Sequence, residues 1–211
     1  MKVHILKFYL LWAIFFVTSF SVSAEIFPVK TYTTADGLLR DDIVQVEQDS
    51  HGFIWFRMHG GLMRYDGYSF KKYTIADGLP SPHVHWLFEA ADGVFWISTP
   101  EGIVKYNPSG IQQKFDENNP ANPNAMFQVF RPGNELRSKR FGIIVQTEPN
   151  VLWADNDGGL VKINLVDGNP IFHKTDINDY LGFLLKDRTN NLWAAIQDKG
   201  LIKMSPDGKI T

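Results

Sequence analysis

The sequence predicts an all-β chain: a β-propeller of about four four-stranded blades, an incomplete part of a larger propeller. Three observations carry this. Tryptophan recurs at Trp55, Trp96, Trp153 and Trp193, with spacings of 41, 57 and 40 residues, and self-similarity near 40 residues marks a repeat architecture. A turn-forming residue, Gly52, Gly93, Asn150 or Asn190, stands three places before each one. Six or seven residues after each, a second motif starts: GLMRY from Gly61, GIVKY from Gly102, GLVKI from Gly159 and GLIKM from Gly200.

Within one unit the elements follow in a fixed order. First comes an outer strand 26 to 23 residues before the tryptophan, bounded by Val29 and Tyr32, Phe70 and Tyr73, and Phe127 and Phe130. In the last unit this spacing breaks, and Phe172 is the nearest counterpart. Next is an apolar strand, with Ile43, Val84, Phe141 and Leu181 twelve before the tryptophans and Val46, Leu87, Ile144 and Leu184 nine before. Its nearly continuous apolar character predicts burial on both faces.

A tight turn follows, because glycine and asparagine best tolerate a left-handed backbone. Asp49 and Asp187 stand three residues ahead of that turn, where a carboxylate bonds the turn's own amides. The tryptophan strand comes next, its indole expected between neighbouring sheets, where its area dominates packing. The glycine motif closes the hairpin, and its alternation of apolar and Lys/Arg positions predicts a strand with one wet face. Four short strands per roughly 40 residues, without a helix pattern, describe a propeller blade. The longer gap between Trp96 and Trp153 holds NPSGIQQKFDENNPANPNA, residues 107–125, whose Asn, Pro and Gly content predicts an inserted surface loop.

The first 24 residues stand apart. Lys2 and Lys7 precede the uncharged apolar run FYLLWAIFFVTSF, residues 8–20, and SVSA ends at Ala24. This is the layout of a cleavable secretory signal peptide; thirteen apolar residues fall short of the roughly 20 that span a bilayer. Domain limits are therefore 1–24 for the leader and 25–211 for the propeller repeats. Removing Lys2 and Lys7 takes the 21 basic residues to 19 against 23 acidic ones, a net −4. That balance argues against a general nucleic-acid binder. With no cysteine, the chain has neither disulfides nor a lipoprotein anchor. A bacterial periplasmic location is the simplest fit.

The stretch TADGLLRDDIVQVEQDSHGFIWF, followed by GGLMRYDG, and its echo IADGLPSPHVHWLFEAADGVFWISTPEGIVKYN resemble the two-component regulator propeller repeat. The resemblance is close in the first two units, including DGL at 36–38 and 77–79, and weaker in the last two. It implies a periplasmic ligand-binding sensor. Its ligand is expected to be a small molecule or an oligosaccharide, and homodimers as in related receptors are implied. Such sensors normally precede a membrane helix and an output module, a histidine kinase or a diguanylate cyclase. The chain reaches Thr211 as DGKIT starts another outer strand, so the expectation is the truncated N-terminal part of a receptor, joined to the membrane only through a downstream segment or an uncleaved leader. The alternatives from the same sequence are a secreted propeller enzyme, a polysaccharide lyase or hydrolase, and a periplasmic protein-binding scaffold.

With the apolar strand innermost, one rim gathers 35–42, 57–60, 76–83, 99–101, 132–140, 155–158 and 198–200, and loops on a rigid scaffold are where recognition groups sit. Arg40, Arg57, His59, His83, Glu101, Asp155 and Asp157 are the candidate ligand-binding residues. His83 and His85 lie two apart, on one side of an expected strand, but no third ligand joins them and no metal site is expected. DNDGG at 155–159 lacks the full spacing of a calcium loop and reads as a blade turn. Arg131, Arg137, Lys139 and Arg140 form a basic cluster in a solvated loop. No phosphate cradle, nucleophile elbow or paired catalytic carboxylate is present, so no catalytic residue and no cofactor is expected.

Overall fold

Each tryptophan repeat folds as one antiparallel sheet whose strands pair in chain order. A computed structural model of the chain describes residues 28–134, 136, 138–157, 159–206 and 209–210. The expected leader, 1–24, lies outside the described residues. Residues through Thr31 form a unit of their own, and 28–31 within it carry no strand or helix. The second unit, Tyr32–Thr211, holds the sheets.

Blade 1 is β1 (Ile43–Gln48), β2 (Ile54–Met58), β3 (Gly61–Tyr65) and β4 (Phe70–Tyr73). Blade 2 is β5 (Trp86–Glu89), β6 (Phe95–Thr99), β7 (Gly102–Tyr106) and β8 (Phe127–Phe130). Blade 3 is β9 (Phe141–Glu148), β10 (Val151–Asn156), β11 (Gly159–Val166) and β12 (Asn169–Lys174). Blade 4 has β13 (Leu181–Lys186), β14 (Leu192–Ile196) and β15 (Gly200–Met204), and an isolated bridge from Met204 to Ile210 in the fourth position. Two single-turn 3-10 segments, Thr34–Asp36 and Ile75–Asp77, are the only helical structure among the described residues. The first strands of successive sheets are in contact, β5 with β9 and β9 with β13.

The turns form where the sequence places them. Gly52, Gly93, Asn150 and Asn190 have φ of 86°, 79°, 64° and 63°, the left-handed region. The glycines that open β3, β7 and β11 answer a different demand. At Gly61, Gly102 and Gly159 φ is 145°, 139° and 143°, and a Cβ would collide with the carbonyls of Tyr73, Phe130 and Ile177 respectively. No other residue leaves room for the outer segment to cross so closely.

The tryptophans define a front face on each sheet that packs on the back of the next. Trp55 and Leu62 cluster with Val84, Leu87 and Ile97 of blade 2. Trp96 and Ile103 cluster with Phe141, Ile144 and Ala154 of blade 3. Trp153 and Leu160 cluster with Leu181, Leu184 and Ala194 of blade 4. Trp55, Trp96 and Trp153 are 2%, 1% and 4% exposed; Trp193, on the front of blade 4, is only half-buried.

Three expectations need correction. The outer strand expected at Val29–Tyr32 is coil. In the sheets each outer strand pairs with the strand before it, as β4 does with β3, and none precedes Val29 among the described residues. The first strands are not all buried on both faces. β5 and β9 lie between two sheets and are buried or half-buried almost throughout. In contrast, β1 has a neighbour only at its front and β13 only at its back, and both expose apolar side chains. The glycine-motif strands are not half wet either: β3, β7 and β11 are buried or half-buried on both faces, save for Val166 at the end of β11. Their Lys/Arg pairs across from the tryptophan, and the cations of Arg64, Lys162 and Lys203 sit 5.9, 5.6 and 5.6 Å from the Trp55, Trp153 and Trp193 rings, a cation–π arrangement. Lys105 instead donates to the Gly168 carbonyl of blade 3 at 3.3 Å.

Residues 107–125 form the predicted inserted loop between β7 and β8, pinned by an Ile111–Ala125 bridge. Phe115 packs on the first core cluster.

Candidate functional site

The end of β2 and the segment ahead of β5 bring two stretches of sequence together. The Gly60 amide donates to the Pro82 carbonyl at 3.1 Å, which seats the β2–β3 turn beside residues 81–85. Val44, Arg57, Met58, His59, His83, Val84 and His85 then line a cleft of about 220 Å³. It is half apolar and half basic, as ligand pockets with a few placed polar groups are.

Arg57 is fixed in the cleft wall. Its Nη1 donates to the Val84 carbonyl and its Nε to Gln45 Oε1, both at 3.1 Å. Burial pushes its pKa below the ordinary arginine value. His85 lines the same cleft. Its Nδ1–H donates to the Phe141 carbonyl at 2.7 Å, and burial, with the Arg140 and Arg57 charges, pushes it below its ordinary value. A neutral imidazole committed through Nδ1 leaves Nε2 as an acceptor. The cleft therefore offers a held guanidinium donor, an imidazole acceptor and an apolar floor.

His59 joins this wall to an exposed cluster. Its Nδ1–H donates to Asp42 Oδ2 at 2.7 Å, and Arg40 Nε donates to Asp42 Oδ1 at 2.8 Å. The Arg40 guanidinium, helped by His59, holds the Asp42 carboxyl below its usual value.

Of the seven candidates, Arg57, His59 and His83 share the cleft, and Arg40 reaches it through Asp42. The others lie elsewhere. Glu101 accepts from Arg131 Nη2 at 2.9 Å, and the guanidinium stands 5.3 Å from the Phe115 ring. Asp157 accepts from Arg140 at 3.2 Å and from Ser138 at 3.3 Å. Arg131 and Arg140 of the basic cluster thus pair with different acids, and Arg137 lies outside the described residues. Asp155 packs its carboxylate against the Gly142 Cα, with Oδ1 buried and without a hydrogen-bond partner. Burial raises its pKa to about 6; the Gly142 and Ile143 amides and the Arg140 charge offset only part of this.

Sequence reasoning passed over His85 as a site residue, although its spacing from His83 was the available signal. The two line one cleft, but residues 82–85 are coil, not strand. Among the described residues no three His, Asp or Glu side chains converge to hold a metal.

Comparison with known proteins adds the following. Residues 78–101 match the family described as two component regulator propeller. A histidine kinase P4 of Formosa agariphila is 33% identical over 57 residues, 27% of this chain and 4% of that protein. Among solved structures, the extracellular domain of a B. thetaiotaomicron protein described as a one component system superposes with a TM-score of 0.61 at 16% identity, covering 81% of this chain and 22% of that one. A catalytically inactive virginiamycin B lyase from Staphylococcus aureus gives a TM-score of 0.59 at 17% identity, covering 80% and 54%. The chain spans less than two thirds of each of these proteins. The structural likenesses establish a β-propeller fold.

Proposed function

We propose that this chain is the ligand-binding propeller of an exported, two-component-type signal-transduction receptor, and that its ligand enters the cleft between blades 1 and 2. One observation carries the reading. Residues 78–101, the segment that matches the regulator propeller, supply His83 and His85 to the lining of the cleft, which Arg57 and His59 of blade 1 complete. The cleft's donors, acceptor and apolar floor suit a small polar ligand with some apolar surface, such as an oligosaccharide. Likeness to extracellular domains and the leader pattern support export to the periplasm. A membrane segment and an output module, a histidine kinase or a diguanylate cyclase, belong to the same proposal.

The test is a thermal-shift and calorimetric screen of the purified chain against neutral and acidic oligosaccharides, repeated on Arg57→Ala and His59→Ala. A compound that raises the melting temperature of the wild type and fails to do so in both variants supports the reading. No response across the panel, or a response untouched by either variant, contradicts it. Turnover of a panel member would favour a secreted lyase or hydrolase instead. A stable protein partner without any small-molecule shift would favour a scaffold.

A further inference from the structure

Arg57 is a cation without an anion. Arg40, Arg131 and Arg140 each pair with a carboxylate, on Asp42, Glu101 and Asp157. Arg57 has no such partner among the described residues, although it is half-buried. Two neutral oxygens hold it instead, the Val84 carbonyl and Gln45 Oε1. A guanidinium carries five N–H donors. Arg57 spends Nε–H and one Nη1–H on those two oxygens, and its Nη2 donates to no group among the described residues. A charge withdrawn from water and left unpaired is costly. The pKa of Arg57 is accordingly lowered by burial, with no carboxylate acting against it.

No acid lines the cleft that holds Arg57. Asp42, which bonds His59, is already shared with Arg40. The one permanent charge of the lining is therefore positive and uncompensated. His85 limits what can answer it. Its Nδ1–H is committed to the Phe141 carbonyl, and burial, with the Arg140 and Arg57 charges, favours the neutral ring. Its Nε2 is then an acceptor, which repels a second anionic oxygen and takes a hydroxyl. Met58 and Val84 add buried apolar surface. At about 220 Å³ the cleft is smaller than the roughly 300–1,000 Å³ of drug-sized pockets, so it suits a single sugar-sized group.

We propose that the cleft takes a monoanionic hydroxycarboxylate, such as a uronic acid, with its carboxylate on the Arg57 guanidinium and a hydroxyl donating to His85 Nε2. Guanidinium and carboxylate match in charge and planarity. The inference rests on the cleft being the ligand site, as proposed above, and adds the charge and class of the ligand.

The test is an NMR titration of the purified chain at pH 7.5, following the Arg57 Nε–H and the amides of His83 and His85. The probes are D-galacturonate, its uncharged methyl ester, D-galactose and inorganic phosphate. Galacturonate is expected to shift these signals saturably and to bind at least about tenfold more tightly than the ester or galactose. Arg57→Gln is expected to abolish that preference, and His85→Ala to weaken acid and ester by the same factor. The comparison of acid with ester in the wild type needs no variant to fold. Ester or galactose binding as tightly as the acid, with the same signals shifting, overturns the carboxylate assignment and leaves the cleft as the ligand site. Phosphate binding more tightly than galacturonate overturns it in favour of a phosphate ligand. Galacturonate that leaves the Arg57 Nε–H unmoved, or no binding by any of the four probes, also overturns it; the function proposed above is then decided by its own wider panel.

Discussion

The indole N–H of Trp55 donates to Asp49 Oδ2 at 2.8 Å. The other carboxylate oxygen accepts the amides of His51 and Phe53 at 3.0 and 2.9 Å. One side chain therefore closes the turn and satisfies the indole of the strand that the turn launches. Blade 4 repeats the arrangement with Asp187 and Trp193 at 2.9 Å, and in blade 3 Thr147 Oγ1 accepts from Trp153 at 3.1 Å. Asp49→Ala strands a buried indole donor and two turn amides, and its expected cost is about 2–3 kcal/mol. Urea denaturation measures it; a loss below about 0.5 kcal/mol would show that the bond is not structural.

Blade 2 lacks this acceptor. Ala90 stands six residues before Trp96, and Trp96 Nε1 is buried without a hydrogen-bond partner. Ala90→Thr supplies a hydroxyl where blade 3 already has one, and is expected to raise stability by about 1 kcal/mol. A lower melting temperature in Ala90→Thr would mean that the packed site does not admit the hydroxyl.

Gly102 and Gly200 hold equivalent places, but only Gly102 is crossed by an outer-strand carbonyl. Gly102→Ala combines left-handed strain with a backbone clash and is expected to cost about 3 kcal/mol or more. Gly200→Ala meets open space and is expected to cost about 1 kcal/mol, the strain alone. Equal losses in paired denaturation curves would refute the role of close approach.

Asp155 ties stability to pH. Its carboxyl is pushed up to about 6, so between about pH 4 and 6 the folded chain binds this proton more tightly than the unfolded chain does. Stability from this group is full below about pH 4 and is lost as pH rises through 6, by about 2–3 kcal/mol at most. Asp155→Asn is expected to stabilise the chain at pH 7.5 and to change little at pH 4, read as the difference between wild-type and variant denaturation profiles. A difference independent of pH contradicts the assignment. Asp187 works in the opposite sense. The Trp193 and Asn191 hydrogen bonds hold its carboxyl far below the usual range, so its contribution is lost as pH falls.

Much of the fold was legible because the repeat states it four times. Positive-φ positions at Gly52, Gly93, Asn150 and Asn190 were readable from residue type, and burial of Trp55, Trp96 and Trp153 from register. The exposure of β1 and β13 was not readable, because apolar residues there are the same kind as in β5 and β9; only the neighbouring sheets differ. Glu101 and Arg57 looked alike as rim charges, yet Arg131 draws one away and Val84 anchors the other in the cleft. Such pairings join residues about 30 apart, and spacing alone does not reveal them. Asp155 depends on burial against the Gly142 backbone, which no motif encodes.

The central claim is that the indoles are packing elements between sheets. Hydrogen exchange of the indole N–H groups, followed by NMR, tests it most directly. Trp55, Trp96 and Trp153 are expected to exchange at least about tenfold more slowly than Trp193. Equal rates at all four, or slowest exchange at Trp193, would contradict the account.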